Sequence, residues 1–129
     1  MRTLYTSGSP WEPKMGYSRA VQVGGSLFIS ATAATGPDGN VVSDDLYEQT
    51  KNILEKLDAV LQNAGFTLAE VVSSRMAVSD WDNWAEAARA HGEVFGEIRP
   101  AFTLSHVLPF VDPAMLVEID IVAMHDPQS

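Results

Sequence analysis

Two carboxylates in an apolar segment near the carboxyl end are the first candidates for chemistry. Glu118 and Asp120 lie within the run Leu116–Met124, in which most other residues are apolar. A carboxylate in such a strand is costly unless it is hydrogen-bonded, paired with a cation or placed at a cleft. A desolvated Glu118 with a raised pKa would serve as a general acid or base acting on water. The alternative is that Glu118 has a structural role, in which it caps loop amides or pairs with Arg19 or Arg75. Asp120, on the same predicted strand face, either shares the catalytic role or lies at the rim of the cleft.

The three histidines offer no metal site. His91, His106 and His125 form no His-x-x-x-His pair and have no neighbouring carboxylate triad, so we predict that no metal is bound. His91 lies on the apolar stripe of a predicted helix, and we expect it to be a core residue whose hydrogen-bonding groups have partners, rather than a catalyst. His106 is an acid or base if its strand face lines a cleft, and otherwise a surface histidine, which is the interpretation we favour.

Two hydroxyl side chains lie beside the first predicted strands. Tyr17 follows a glycine, and Ser30 ends a strand before a Gly-Pro turn. From the residues alone, either hydroxyl anchors a loop or contacts a ligand. The chain has neither a glycine-rich phosphate loop nor a nucleophile elbow.

Composition narrows the class of protein. The 129 residues suffice for one domain, predicted to span 1–129, with 46% hydrophobic and 19% charged residues. A net charge of −9 and only eight basic residues argue against nucleic-acid binding. The chain lacks cysteine, so it has neither disulfides nor a thiolate nucleophile. No run resembles a signal peptide or a membrane span, which predicts a cytoplasmic protein.

Hydrophobic periodicity predicts two helices and five strands. Apolar residues at spacings of three and four indicate a helix over 46–64, with Asp45 and Glu48 as a capping box and Gly65 as its carboxyl cap. A second helix is predicted from about 80 to Gly96. The predicted strands are Ala20–Val23, Leu27–Ala31, Val71–Ser79, 101–108 and 115–124. The order β-β-α-β-α-β-β indicates an α+β fold with two helices on one face of a sheet. The segment Ser7–Gly16 is predicted to be an ordered loop or arm.

The alternation within the strands indicates that the sheet is apolar on both faces. Val117, Ile119 and Ile121 make an ordinary core face, whereas the residues between them mix apolar side chains with carboxylates. Met76 and Val78, which share a face with Ser74, are interpreted in the same way. A second apolar face predicts burial by self-association.

Several segments resemble one known family. They occur in the family's order over roughly residues 15 to 125: Gly16–Val21, Leu27–Thr32, Tyr47–Leu54, Ala90–Gly96, Arg99–Ala101 and Leu116–Asp120. Together they resemble the Rid (reactive intermediate deaminase, YjgF-like) superfamily. The resemblance implies a chorismate-mutase-like fold with a mixed sheet, and a homotrimer with ligand clefts between subunits.

The resemblance also implies a reaction. In the deaminating members, water hydrolyses a small enamine or imine without a cofactor, and residues matching Glu118, Tyr17 and Ser30 form the catalytic set. The family's substrate-gripping arginine is replaced here by Phe102, whose ring cannot hold a carboxylate bidentately. Arg99, three residues back along an extended chain, is predicted to point away.

The substrate-contacting set predicted around Phe102 comprises Thr103, His106 and His91. Ala31 stands where many relatives have glycine. We therefore expect an enzyme acting on a small reactive metabolite other than a simple 2-iminocarboxylate, with an aromatic or neutral substrate suiting Phe102 better. The alternative is a non-catalytic trimer that binds ligands or proteins. A ribonuclease is disfavoured by the low basic content.

Overall fold

The computed structural model describes residues 1–126, so positions 127–129 of the predicted domain lie outside the described residues. The strands are β1 (Arg2–Tyr5), β2 (Ala20–Val23), β3 (Ser26–Ala33), β4 (Val71–Val78), β5 (Ala101–His106) and β6 (Val117–Met124). The helices are α1 (Trp11–Met15), α2 (Leu46–Asn63) and α3 (Trp84–Phe95), with 3₁₀ turns at Leu68–Glu70 and Trp81–Asn83. Among these residues, no helix is long and apolar enough to cross a membrane.

The six strands form one mixed sheet in the order β1-β2-β3-β6-β4-β5. Every neighbouring pair is antiparallel except β4 and β5, which run parallel because α3 connects them. The predicted α+β class is confirmed. The predicted hairpin is also present, since β2 and β3 are joined at Gly24, which adopts a left-handed φ of 58°.

The core lies between the sheet and helices α2 and α3. Helix α2 begins where predicted, because the Asp45 carboxylate accepts a hydrogen bond from the Glu48 amide at 3.0 Å. It ends before Gly65, whose φ of 84° provides the left-handed cap. Most of the apolar stripe of α2 is buried against the sheet, where the helix contacts β3 and β6, and burial of each such side chain contributes about 1.5–3 kcal/mol. This face carries Ile53, Leu57 and Leu61.

The amino-terminal segment is more ordered than the sequence indicates. Arg2–Tyr5 adds an edge strand that the periodicity did not predict, and the predicted arm contains the one-turn helix α1. Glu12 of α1 is buried and accepts hydrogen bonds from the Thr6 hydroxyl at 2.7 Å and from the Ser7 amide and hydroxyl. One carboxylate therefore organises the loop that precedes Tyr17.

One part of the prediction about the two sheet faces is wrong. Ser74, Met76 and Val78 are all buried beneath the helices, so they belong to the ordinary core face and say nothing about a second one. The open face does carry exposed apolar side chains, among them Leu4 and Phe28. Within the sheet, only this open face therefore supports the predicted self-association.

Candidate functional site

Glu118 lies on the open face of the sheet. Its neighbours Val117 and Ile119 are buried beneath the helices, so alternation along β6 turns the Glu118 side chain to the opposite face. It pairs in register with Ala33 of β3 and Ala77 of β4, whose small side chains leave space beside it. The side chain is half-buried, and no hydrogen bond reaches its carboxylate from the described residues 1–126. The Glu118 carboxylate can therefore accept a hydrogen bond from a ligand or from water.

The electrostatic surroundings of Glu118 shift the pKa of its carboxyl. Burial raises the pKa of the Glu118 carboxyl, the positive charge of Arg19 lowers it, and the negative charge of Asp120 raises it further. The net direction is upward. Asp120 itself is held by Arg75, with 2.8 Å between Nε and the carboxylate. The alternative that Glu118 pairs with Arg75 is therefore wrong, because Arg75 lies opposite Asp120 in the register of β4 and β6.

A bulge in β3 lies next to Glu118. Between the pairs Ile29–Ile121 and Thr32–Ile119, β3 has one more residue than β6, which displaces Ser30 and Ala31 from the regular ladder. The Ser30 hydroxyl donates to the Ser18 carbonyl at 2.7 Å. The serine that sequence analysis selected therefore has a structural partner and fixes the segment that follows Tyr17.

Arg19 holds the other side of this bulge. Strand β2 begins only at Ala20, so β3 beyond Ser30 has no strand partner on that side. The Arg19 guanidinium donates to the Ala31 carbonyl at 3.1 Å and to the Thr32 hydroxyl at 3.0 Å. The guanidinium carbon, Cζ, of Arg19 lies 5.9 Å from the centre of the exposed Tyr17 ring. Arg19 therefore links the hydroxyl residues to Glu118, and we call Tyr17, Arg19, Ser30 and Glu118 the β3-edge cluster.

Phe102 lies in a second group of residues on the other face of the sheet. It is opposite Ser74 in the register of β4 and β5 and is thus on the face that carries the helices, although 42% of it remains exposed at this edge strand. Its ring centre is 4.3 Å from that of His91, which in turn packs against Phe95 at 4.7 Å. We call Ser74, His91, Phe95 and Phe102 the Phe102 cluster.

His91 is a neutral core residue with a partner, as expected. Its Nε2 atom lies 2.9 Å from the hydroxyl of Ser74, which is fully buried. Burial lowers the pKa of His91 to about 4, because the apolar surroundings disfavour the imidazolium. His91 therefore presents an uncharged ring to Phe102.

The remaining predicted residues are separated from one another. His106 shares the strand face of Phe102 but is exposed, and its ring stacks on Trp81 at 4.9 Å, in line with the surface interpretation. Trp81 stacks on Trp84 at the exposed start of α3, so both lie at the helix edge rather than in the core. Thr103 faces the opposite side of β5 and pairs in register with Arg75.

Arg99 does not follow the parity expected of an extended chain. It adopts a left-handed φ of 57°, and its amide donates to the Phe95 carbonyl at 2.8 Å, so the backbone turns before β5 begins. The premise of that prediction was wrong, because alternation applies only within a strand. Arg99 is exposed, and none of the described contacts joins it to Phe102.

The predicted site residues thus form two groups within one chain. The β3-edge cluster collects the catalytic candidates, and the Phe102 cluster collects two of the four substrate-contacting candidates, with β4 between them. Sequence reasoning named Arg19 only as a possible ion-pair partner and did not select Glu12. The available signal was the pair Thr6 and Ser7 shortly before Glu12, because their hydroxyl groups can donate hydrogen bonds to a buried carboxylate. Within residues 1–126, no three histidine, aspartate or glutamate side chains are grouped so as to hold a metal ion.

Comparison with known proteins supplies a family match. A family model described as Endoribonuclease L-PSP matches residues 3–125. A RutC family protein from Pyrococcus horikoshii is 32% identical over 123 residues, covering 93% of this chain and 94% of its own length. A crystal structure from Mycobacterium tuberculosis, of a member of the YjgF/YER057c/UK114 family, is 37% identical with a TM-score of 0.87, covering 97% of this chain and 100% of that one. A Rid family protein from Yersinia pestis is 26% identical with a TM-score of 0.84, again covering 97% and 100%.

Proposed function

The chain belongs to the Endoribonuclease L-PSP (YjgF/RutC/Rid) family, and on that premise we propose that it hydrolyses a small imine or enamine to a carbonyl compound and ammonia. The proposed enzyme is a cytoplasmic homotrimer that needs no cofactor, with its sites in the clefts between subunits. Glu118 removes a proton from the attacking water, while Tyr17 and Ser30 line the cleft. The substrate is a small molecule, bulkier, aromatic or neutral, rather than a simple 2-iminocarboxylate such as that derived from serine.

The observation that carries this proposal is the half-buried Glu118 carboxylate, which accepts no hydrogen bond from any of residues 1–126. Hydrolysis of a C=N bond needs a base that removes a proton from water as its oxygen attacks carbon, which gives a carbinolamine. With the substrate nitrogen protonated as an iminium, this carbinolamine is neutral. The same group then returns the proton to nitrogen, the C–N bond breaks, and the carboxylate takes up the hydroxyl proton as the carbonyl forms and ammonia leaves. The ammonia finally carries this proton away as ammonium, which restores the carboxylate. A carboxyl whose pKa is raised by burial suits both steps, because it exchanges a proton more readily near neutral pH.

The separation of the two clusters supports a cleft built from two copies. Glu118 faces the open side of the sheet, whereas Phe102 faces the helix side at the edge strand β5. A small molecule cannot touch both within one chain. A second copy that brings its β5 edge against the β3-edge cluster would complete the site. Leu108 and Val111, in the loop after β5, are almost fully exposed and would be buried by such a contact.

The charges around the proposed cleft favour a neutral or aromatic substrate. Arg75 is paired with Asp120, and Arg19 donates to the β3 bulge. Neither guanidinium is therefore positioned as a free fork for a carboxylate. Phe102 and His91 instead offer two uncharged rings, which contact planar groups well.

The experiment follows the decay of imines generated in situ from amino acids by an amino-acid oxidase. It compares imines of phenylalanine-like and serine-like substrates. We expect faster decay of the aromatic imine with the wild-type protein. Glu118→Gln should reduce this acceleration by about 10²- to 10⁴-fold, whereas Glu97→Gln, at an exposed glutamate, should not. Full activity in Glu118→Gln would refute the mechanism, and a monomer in sizing experiments would refute the intersubunit cleft.

A non-catalytic trimer is the second candidate, and the phenylalanine at position 102 is the observation that favours it. It predicts that an aromatic ligand binds, that no imine decays faster, and that Phe102→Arg does not create activity on the serine-derived imine. The hydrolase proposal predicts that Phe102→Arg gains this activity, because the remaining cleft is intact. A nuclease is disfavoured, since a net charge of −9 repels the phosphate backbone.

A further inference from the structure

We propose that Arg19 is the positioning residue of the site: it fixes the β3 bulge and places a positive charge beside the candidate base Glu118. The inference rests on the proposed function, since it concerns the same carboxylate. It begins with the unequal lengths of β2 and β3. Because β2 begins at Ala20 while β3 extends to Ala33, the β3 carbonyls on that side would lack strand donors.

Two cations supply the missing donors. Arg19 donates to the Ala31 carbonyl, and the Lys56 ammonium donates to the Ala33 carbonyl at 2.7 Å and to the carbonyl and hydroxyl of Thr35. The two residues do different work. Lys56 has all three of its N–H groups engaged and closes the loop after β3. Arg19 lies at the bulge itself and also donates to Thr32.

The hydrogen bonds of the bulge form a chain that starts at Arg19. The Thr32 hydroxyl, which accepts from Arg19, donates to the Ser30 carbonyl at 2.9 Å. The Ser30 amide donates to the Arg19 carbonyl at 2.9 Å, and the Ser30 hydroxyl donates to the Ser18 carbonyl. Loss of the guanidinium therefore removes the bonds to Ala31 and Thr32 and weakens the bulge, while the bonds that Ser30 makes to Ser18 and to the Arg19 backbone remain.

The charge of Arg19 acts on Glu118 against two opposing influences. Burial and the negative charge of Asp120 both favour the protonated carboxyl, and Arg19 favours the carboxylate. The charges that act on this carboxylate are those of Arg19 and Asp120. Of the neighbouring cations, Arg75 of β4 pairs with Asp120, and Lys56 of α2 bonds to the end of β3. Arg19 is thus the cation whose removal should change the ionisation of Glu118.

The guanidinium is also unsuited to gripping a substrate. Its two terminal nitrogens each donate a hydrogen bond to β3, and its Nε atom is buried with no hydrogen-bond partner among residues 1–126. An arginine that only balanced surface charge would not be held in this way. Both properties favour positioning over direct substrate contact.

The experiment is an NMR titration of the ¹³C-labelled glutamate carboxyls in the full-length protein, with the Glu118 signal assigned from its absence in Glu118→Gln. In Arg19→Gln the pKa of Glu118 should rise, and the amides of the bulge should exchange with solvent about tenfold faster. In Arg19→Lys the pKa should stay close to the wild-type value, while amide exchange is still faster, since an ammonium keeps the charge but not the fork. Arg99→Gln, at an exposed arginine, should change neither.

An unchanged Glu118 pKa in a folded Arg19→Gln variant would overturn the inference. If that variant fails to fold, Arg19→Lys decides: a raised Glu118 pKa there would show that charge is not the agent. For any imine that the wild type hydrolyses, the acidic limb of the kcat/KM profile should move to higher pH in Arg19→Gln and return in Arg19→Lys. These titrations need no substrate, so their failure leaves the proposed hydrolysis standing, and absence of hydrolysis leaves the titration result standing.

Discussion

Replacing His91 by glutamine should remove a pH-dependent part of the protein's stability. Glutamine keeps a hydrogen-bonding group opposite the Ser74 hydroxyl and cannot be protonated. In the folded protein, burial lowers the pKa of His91 to about 4, against 6.5 for an exposed imidazole. Between these values the unfolded chain binds more protons than the folded one, so stability falls as pH falls.

The size of the effect follows from that interval. At about 1.4 kcal/mol for each pH unit, the wild type should lose about 3 kcal/mol to His91 protonation between pH 7 and pH 4. Other groups titrate over the same range. The quantity of interest is therefore the pH dependence of the wild type minus that of His91→Gln.

The measurement is urea unfolding at fixed protein concentration and at several pH values from 7 to 4, for the wild type and His91→Gln. His106→Gln is the matched control, because it removes an exposed histidine from the same side of the sheet. We expect the control to follow the wild type. If His91→Gln loses as much stability on acidification as the wild type does, then His91 is not held neutral in the core, and the account of the Phe102 cluster fails.

Three other predictions concern the elements that hold the site. Asp45→Ala should cost about 1 kcal/mol in the free energy of unfolding, because the Glu48 amide loses its cap; Asp44→Ala is the control. Lys56→Met should cost about 2 kcal/mol by leaving carbonyls at the end of β3 without donors, measured by urea unfolding. Glu12→Gln should cost about 2 kcal/mol at pH 7. Burial alone would raise the pKa of Glu12, but hydrogen bonds from its own loop outweigh this and lower it. The Glu12 contribution is therefore present above about pH 4.5 and lost below it, and equal stability of the two proteins at pH 7 would contradict this.

The local pattern predicted most of the fold. The stripe that carries Leu57 and the capping pair at Asp45 are properties of neighbouring residues, so helix α2 could be read from the chain directly. The same applies to the alternation around Ile119, which identified the core face of β6. Strand β1 was missed because a four-residue edge strand has too few alternating positions to give a signal.

The face assigned to each strand was predicted less well, since it depends on register. Ser74 and Met76 proved to lie beneath the helices, which an isolated strand cannot reveal. Arg99 breaks the parity of the strand that follows it, because its backbone is left-handed. The alternation of apolar and polar residues along the chain cannot predict a turn of this kind, because it depends on the backbone angles of a single residue.

The sequence by itself determined the class of fold, the family and the identity of the candidate base. Glu118 stands out from its apolar surroundings, and Phe102 stands out from the pattern that it interrupts. Only the tertiary structure decided which of these residues lie close together. Arg19 reaches the β3 bulge because β2 begins one residue after it, and Phe102 is separated from Glu118 because β4 lies between their strands. Both arrangements result from the pairing of strands that are distant in sequence. The free energy of that pairing depends on two segments at once, so the sequence of one segment alone cannot reveal it.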